Sequence, residues 1–183
     1  MSEPRLRGLT YAALFAALIA VGAYVALPVG PVPFTLQVLF VLLAGLVLGP
    51  RLGALSVLVY LAAGLVAPIY AGGSSGLGVL LGPTGGYLWG FVLAAVIAGL
   101  LAGDRRDSVA RCIAAALTGL VPIYVLGALW LAWQLDGASA TAVLVGGVAQ
   151  FVPGDVVKAV CAGLLAPSLV SLPLGLPAPQ RYR

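Results

Sequence analysis

Histidine is absent from this sequence, which removes the commonest metal ligand and the side chain that moves protons near neutral pH. Charge of either sign is scarce. The 183 residues carry nine basic and five acidic side chains, and Lys158 is the single lysine. Charged residues make up 8% of the chain, against about 25% in an ordinary soluble domain. So few charges cannot cover the surface of a soluble fold. With 62% hydrophobic residues and a mean hydropathy of +1.16, the chain reads as an integral membrane protein. At roughly 20 residues per span, six helices with short loops use up the length and leave no room for a soluble domain. Cysteine is rare too. Cys112 and Cys161 lie in apolar runs without paired spacing and read as buried free thiols, not as a metal or redox site.

Proline and glycine are plentiful and punctuate the chain. The first helix is expected over about 9–27, ended by Pro28 and Pro31. Arg5 and Arg7 precede it, but the run is long for a signal core and reads as a retained helix. Ala12, Ala16 and Ala20 recur at every fourth position, with Ala13 and Ala17 beside them. Small residues at that spacing make a smooth face for close helix approach, either within the bundle or against a partner membrane subunit. Further helices are expected over 35–48, with Gln37 near its start, and over 53–67, with Gly49-Pro50-Arg51 between the two and Pro68 closing the second. Both are short for a span.

The connection 69–84 is rich in glycine, including Gly73 and Gly78. A long apolar-glycine segment in so small a protein reads as a folded lid or binding loop. Its end, Gly82-Pro-Thr-Gly-Gly86, lacks the lysine and the spacing of a phosphate loop, so nucleotide binding is rejected. Helices follow over 85–102, with Tyr87 and Trp89 near its start, and over 112–133, with Pro122 inside it and Trp130 and Trp133 near its end as interface aromatics. Asp136-Gly137 marks a turn, 138–151 reads as a short outer helix, and the last span is expected over 153–172 with Pro153 at its first position. A proline-rich tail completes the chain.

With six spans, both termini and the 2–3 and 4–5 loops share one side. Those segments hold Arg5, Arg7, Arg51, Arg105, Arg106, Arg111, Arg181 and Arg183, while the opposite loops hold no Lys or Arg. The positive-inside rule therefore places both termini in the cytoplasm. The glycine loop, the short helix and the start of the last span fall together on the outer side.

That last start contains Asp155 and Lys158. Ionisable groups at membrane depth are costly and usually face a protein interior or a ligand path. Three residues apart on a helix, the two share a face. They can be an ion pair that ties the helix to its neighbours, or a recognition site in which the carboxylate accepts from ligand N–H groups and the ammonium donates to ligand oxygens.

Four segments also resemble a known family: 31–37 (Pro-Val-Pro-Phe-Thr-Leu-Gln), 48–56 (Leu-Gly-Pro-Arg-Leu-Gly-Ala-Leu-Ser), 78–87 (Gly-Val-Leu-Leu-Gly-Pro-Thr-Gly-Gly-Tyr) and 153–158 (Pro-Gly-Asp-Val-Val-Lys). In this order they are similar to BioY, the biotin-binding substrate-capture (S) component of energy-coupling factor (ECF) vitamin transporters, over most of residues 8–172. The resemblance implies an all-α polytopic fold of six transmembrane helices, biotin uptake across the cytoplasmic membrane of a prokaryote, and two kinds of partner. These are a transmembrane coupling (T) protein and cytoplasmic ABC-type ATPases that use the ATP, so this chain itself binds no cofactor. It implies that Asp155 and Lys158 contact the vitamin, that the glycine loop caps it, and that the small-residue face of the first helix (Ala12, Ala16 and Ala20, or Ala13 and Ala17) meets the coupling protein. No outer arginine is present, which leaves the ligand carboxylate to Lys158, Thr84, Tyr87 or backbone N–H groups. Gln37, Gly73 and Gly78 complete the candidate set.

Other functions fit less well. A self-sufficient facilitator needs a continuous polar path, and the spans hold one charged pair. An S component for another heterocyclic vitamin keeps the same architecture. A serine–lysine hydrolase would need a serine close to Lys158, and the next one along, Ser168, lies ten residues or about 15 Å away on a helix. Nothing in the composition suggests nucleic-acid binding.

Overall fold

The computed structural model describes residues 3–28, 32–135, 137 and 139–173. The expectations for 29–31, Asp136, Ala138 and the tail 174–183, with Arg181 and Arg183, lie outside the described residues.

Among the described residues, six helices of twelve residues or more build one bundle: α1 (Glu3–Tyr24), α2 (Gln37–Leu48), α3 (Pro50–Gly64), α5 (Gly85–Ala102), α6 (Val109–Gln134) and α8 (Val152–Ser171). Two short ones, α4 (Leu77–Leu81) and α7 (Ala140–Leu144), sit in the connections. Four stretches are long and apolar enough to cross a bilayer: Arg5–Tyr24, Gly85–Arg105, Val109–Gln134 and Ala140–Ser171. α2 and α3 are apolar but shorter.

The observed limits differ from the sequence-based ones in ways that local chemistry explains. α1 begins at Glu3, six residues before the expected start, with an acid in its first turn and an exposed Arg7–Glu3 ion pair at 2.6 Å. It stops at Tyr24 because Ala26–Leu27 leaves the helix to pair antiparallel with Phe34–Thr35, in the register Ala26↔Thr35 and Leu27↔Phe34. This two-rung ladder and an isolated antiparallel bridge between Tyr70 and Ser74 are the β pairings among the described residues. Pro50 does not end α2 but opens α3. Gly49 turns the chain with φ +81, a left-handed conformation that glycine adopts without steric penalty, and proline at the first helical position gives up an N–H that has no partner there. α6 begins at Val109 because Ser108 caps it, and Pro122 lies within one continuous helix. The expected outer helix 138–151 resolves into α7, capped by Ser139, followed by a π-turn over Val145–Ala149. Pro153 is the second helical residue of α8, after Val152.

The core lies where α2, α3 and α5 meet, and small residues set its spacing. A Cβ at Gly45 would stand 2.3 Å from the Ala95 carbonyl oxygen, and one at Gly99 would stand 2.5 Å from the Pro50 nitrogen. These backbones touch, as membrane helices do at small residues. α1 lays Ala12, Ala16, Ile19 and Ala23 against α2 and α3. Ala12 is 1% exposed, Ala20 is half-buried, and Ala13 and Ala17 are exposed. Of the two alanine stripes considered for docking, Ala12 and Ala16 are therefore occupied inside the protein, and the Ala13/Ala17 stripe is the accessible one.

At the end of the bundle that holds Gly49 and 103–111, arginines fasten helix ends. Arg106, 4% exposed, donates to the Val47 carbonyl near the end of α2, and Arg111 Nε donates to the Leu101 carbonyl at 2.7 Å near the end of α5. Both satisfy carbonyls that a helix C-terminus leaves open. Burial pulls Arg106 below its usual pKa and Asp104 opposes the shift, but a guanidinium stays charged throughout.

Candidate ligand-binding site

The opposite end gathers the ladder, the glycine connection and the segment before α8. Between them lies a cavity with about 590 Å³ of unoccupied space, counting its open mouth. Its walls are Val32 to Thr35, Gln37 and Val38, then Tyr70, Ala71, Val79 and Thr84, then Tyr87, Leu88 and Phe91 on α5, Ile123 and Tyr124 on α6, and finally Phe151 and Asp155. Most of this surface is aliphatic or aromatic, with a few polar groups converging on it, the usual make-up of a small-molecule site.

Among the described residues, Asp155 is its one carboxylate. The residue is 5% exposed, and both oxygens have protein donors. Lys158 Nζ lies 2.7 Å from Oδ1, and the Tyr124 hydroxyl donates to Oδ2 at 2.8 Å. The first contact is the i,i+3 geometry expected of α8, and the second joins α8 to α6. An ionised carboxylate has about four lone-pair sites, so acceptor capacity remains on each oxygen. Lys158 is 6% exposed and is not on the cavity wall. Its Nζ rests 3.4 Å from the centroid of the Phe34 ring, and that ring stacks on Phe151 with centroids 6.2 Å apart and planes 5° from parallel. Phe34 fits there because α8 carries Gly154, where a Cβ would meet the ring at 2.3 Å.

A second polar chain starts on the wall at Thr35 and Gln37 and runs back to Tyr60. The Thr35 hydroxyl donates to Gln37 Oε1 at 3.0 Å, and Gln37 Nε2 donates to the Tyr60 hydroxyl at 2.7 Å. One amide N–H of Gln37 is left for another acceptor. Tyr87 lines the cavity, but its hydroxyl already donates to the Gly147 carbonyl at 2.8 Å. Thr84 donates to the Val79 carbonyl over 3.4 Å, a weak bond.

The glycine connection is folded. Tyr70 is buried, donates to the Leu61 carbonyl at 2.6 Å and packs edge-on to Tyr60 at 5.5 Å. Burial raises the pKa of the Tyr70 phenol. Gly72, Gly73 and Gly76 take positive φ to close the turns between Tyr70 and α4. On the far side, Trp130 Nε1 donates to the Gly82 carbonyl at 2.9 Å, and Gln134 donates to the Leu81 carbonyl. The segment is thus tied to α3 at one end and to α6 at the other, with Ala71, Val79 and Thr84 turned to the cavity.

Of the candidates from the sequence, the structure brings Asp155, Thr84, Tyr87 and Gln37 together around one cavity, with Lys158 bonded to Asp155. Gly73 and Gly78 shape the connection without lining the cavity, and a Cβ at Gly78 would meet no atom within 4 Å. Tyr124, Phe34 and Phe151 escaped sequence reasoning. Tyr124 carried a usable signal, a phenol in the middle of an otherwise apolar span. Phe34 and Phe151 looked like any other membrane aromatic. No cluster of metal-ligating side chains occurs among the described residues.

Comparison with known proteins agrees with this architecture. A family model described as the BioY family matches residues 1–173. The biotin transporter BioY of Thermotoga maritima is 44% identical over 169 residues, covering 91% of this chain and 98% of that protein. The probable biotin transporter BioY of Pyrococcus horikoshii is 45% identical over 158 residues, 86% of this chain and 92% of that one. A crystal structure of the S-component for biotin from an ECF-type ABC transporter superposes with a TM-score of 0.85 at 28% identity, covering 94% of this chain and 95% of the other. With a match over almost the whole chain and relatives above 40% identity, this protein belongs to the BioY family.

Proposed function

We propose that this chain is the substrate-capture subunit of an ATP-driven vitamin transporter, that its ligand is biotin, and that it works in the cytoplasmic membrane of a prokaryote. The observation that carries this reading is the lone Asp155 carboxylate on the wall of an apolar cavity. Biotin offers matching chemistry. Its ureido ring has two N–H donors for the free lone pairs of Asp155, and its carbonyl suits the remaining amide N–H of Gln37. Its thioether ring and aliphatic chain suit Phe91, Leu88 and Val79. The weakly bonded Thr84 hydroxyl is the group we assign to its carboxylate, and Tyr87 serves as wall.

All six long helices are read as spans, with both termini and the arginine-bearing connections in the cytoplasm and the cavity opening outward. A transmembrane coupling protein and cytoplasmic ABC-type ATPases are the proposed partners, and ATP is used by them. The exposed Ala13/Ala17 stripe of α1 is the proposed contact with the coupling protein.

The test is direct titration of biotin into the purified chain in detergent, with thiamine and riboflavin as controls. Saturable binding of biotin alone is expected. Absent binding, or equal binding of all three, overturns the assignment.

A further inference from the structure

The stretch Gly82-Pro-Thr-Gly-Gly86, which lacks the chemistry of a phosphate loop, folds against the indole of Trp130. The Gly85 N–H donates to the Gly82 carbonyl at 2.9 Å. Residues 82–85 thus close a β-turn, with Pro83 second and Thr84 third at φ −86 and ψ −9, the type I arrangement. The same Gly82 carbonyl accepts a second bond, from Trp130 Nε1 at 2.9 Å. Four residues on and on the same face of α6, Gln134 donates to the neighbouring Leu81 carbonyl. These two carbonyls belong to the last residue of α4 and to the one after it, where a helix end leaves acceptors open. Trp130 comes so close because Gly86 has no side chain. A Cβ there would stand 2.3 Å from Trp130 Cβ and 2.5 Å from the Leu126 carbonyl oxygen. The half-buried indole borders an apolar groove with Trp89 and Trp133, apart from the cavity that Thr84 lines.

We infer that Trp130, with Gln134 beside it, is a positioning residue for the ligand site: its indole N–H holds the Gly82–Gly85 turn and, through that turn, the Thr84 hydroxyl on the cavity wall. The side chain of Thr84 is tied only weakly, reaching the Val79 carbonyl over 3.4 Å, so its place is set by the backbone that carries it. The turn also opens α5, and Tyr87 and Leu88 follow it on the same wall. The hold from α6 therefore tunes the Thr84 end of the cavity and leaves the Asp155 end alone. For the ligand, and for the assignment of its carboxylate to Thr84, this rests on the function proposed above. The hold on the turn stands on the geometry alone.

Two measurements on the full chain in detergent separate the hold from its consequence. Without ligand, hydrogen–deuterium exchange followed by mass spectrometry reads the amides of 82–88. Trp130→Phe keeps an aromatic body and deletes the N–H, and it is expected to speed their exchange about fivefold, the scale of one lost hydrogen bond. Trp89→Phe removes another indole at the same end and is expected to change nothing. Where Trp130→Phe fails to fold, Gln134→Leu deletes the companion donor and carries the same readings. Biotin and its methyl ester are then titrated separately. Trp130→Phe is expected to weaken biotin about fivefold and the ester, which has no carboxylate, by less than about twofold. Thr84→Val is expected to weaken biotin about tenfold, and adding Trp130→Phe to it to cost nothing more, because both changes act through one hydroxyl. Unchanged exchange in Trp130→Phe, equal losses for biotin and ester, or additive losses in the double variant overturns the inference. A wild type that fails to bind biotin while the exchange contrast persists rejects the ligand and the role of Thr84 and keeps the hold. Biotin binding with no exchange contrast rejects the hold and keeps the ligand.

Discussion

Tyr124, near the middle of α6, donates its hydroxyl to Oδ2 of Asp155 at 2.8 Å, across 31 residues of sequence. This bond sets the carboxylate plane from a different helix than the one that carries the acid. Tyr124→Phe keeps the ring and deletes the donor. Removing a hydrogen bond to a charged group is expected to weaken biotin binding by ~1.5–3 kcal/mol, roughly tenfold to a hundredfold in Kd. Titration calorimetry on the purified variant checks it, and an unchanged Kd would show that Asp155 needs no help from α6.

The ion pair should behave differently in stability and in binding. Lys158→Met leaves a buried carboxylate without its cation and is expected to destabilise the fold by about 3–5 kcal/mol. Asp155→Asn together with Lys158→Met removes both charges and should recover most of the melting temperature. Biotin binding should stay lost in the double variant and weakened in Asp155→Asn alone. Melting curves that fall equally for the single Lys158 variant and the double one would contradict the view that the pair is a unit.

The two alanine stripes of α1 make opposite predictions. Ala12→Leu adds volume at a position 1% exposed against α2 and α3, and overpacking there should lower stability by about 1–3 kcal/mol. Ala13→Leu and Ala17→Leu lie on the exposed face and should change stability by less than about 0.5 kcal/mol. They should instead reduce co-purification with the coupling protein while leaving biotin titration intact. Undiminished assembly in the Ala13/Ala17 double variant would assign that face to lipid.

The proposed orientation is accessible to thiol chemistry. In a background with Cys112 and Cys161 replaced by alanine, Ser75→Cys and Asp107→Cys place single exposed thiols at opposite ends of the bundle. A membrane-impermeant maleimide applied to intact cells is expected to label position 75 at once and position 107 only after permeabilisation. The reverse order would turn the protein over in the membrane.

The parts of this fold that local chemistry controls could be read from the chain. α5 occupies 85–102, where glycine and proline bracket an apolar run, and Asp155 with Lys158 stood out because charge is so rare. What could not be read depends on rotation and on distant pairing. Alanines lie on both faces of α1, and lipid is as apolar as a protein interior, so hydropathy cannot tell the buried stripe from the exposed one. Phe34 reaches Lys158 through a ladder two residues long, too short to leave an alternating pattern. The contact of Phe34 with Lys158 follows from this hairpin and from Gly154 together, and neither is informative alone.

On the proposed six-span topology, the shortness of α3 has a mechanical consequence. At 1.5 Å per residue its fifteen residues reach roughly 22 Å, against about 30 Å for the hydrocarbon layer. α2 is shorter still, but it is almost wholly enclosed, so lipid meets the short wall along α3, where Leu58 and Val59 are exposed. A bilayer beside such a wall must thin to keep its tails covered, and that deformation carries an elastic energy of fractions of a kcal/mol per ångström of mismatch. The molecule therefore favours thin patches of membrane and neighbours with an equally low flank, a preference enforced by the stiffness of the lipid without any specific contact.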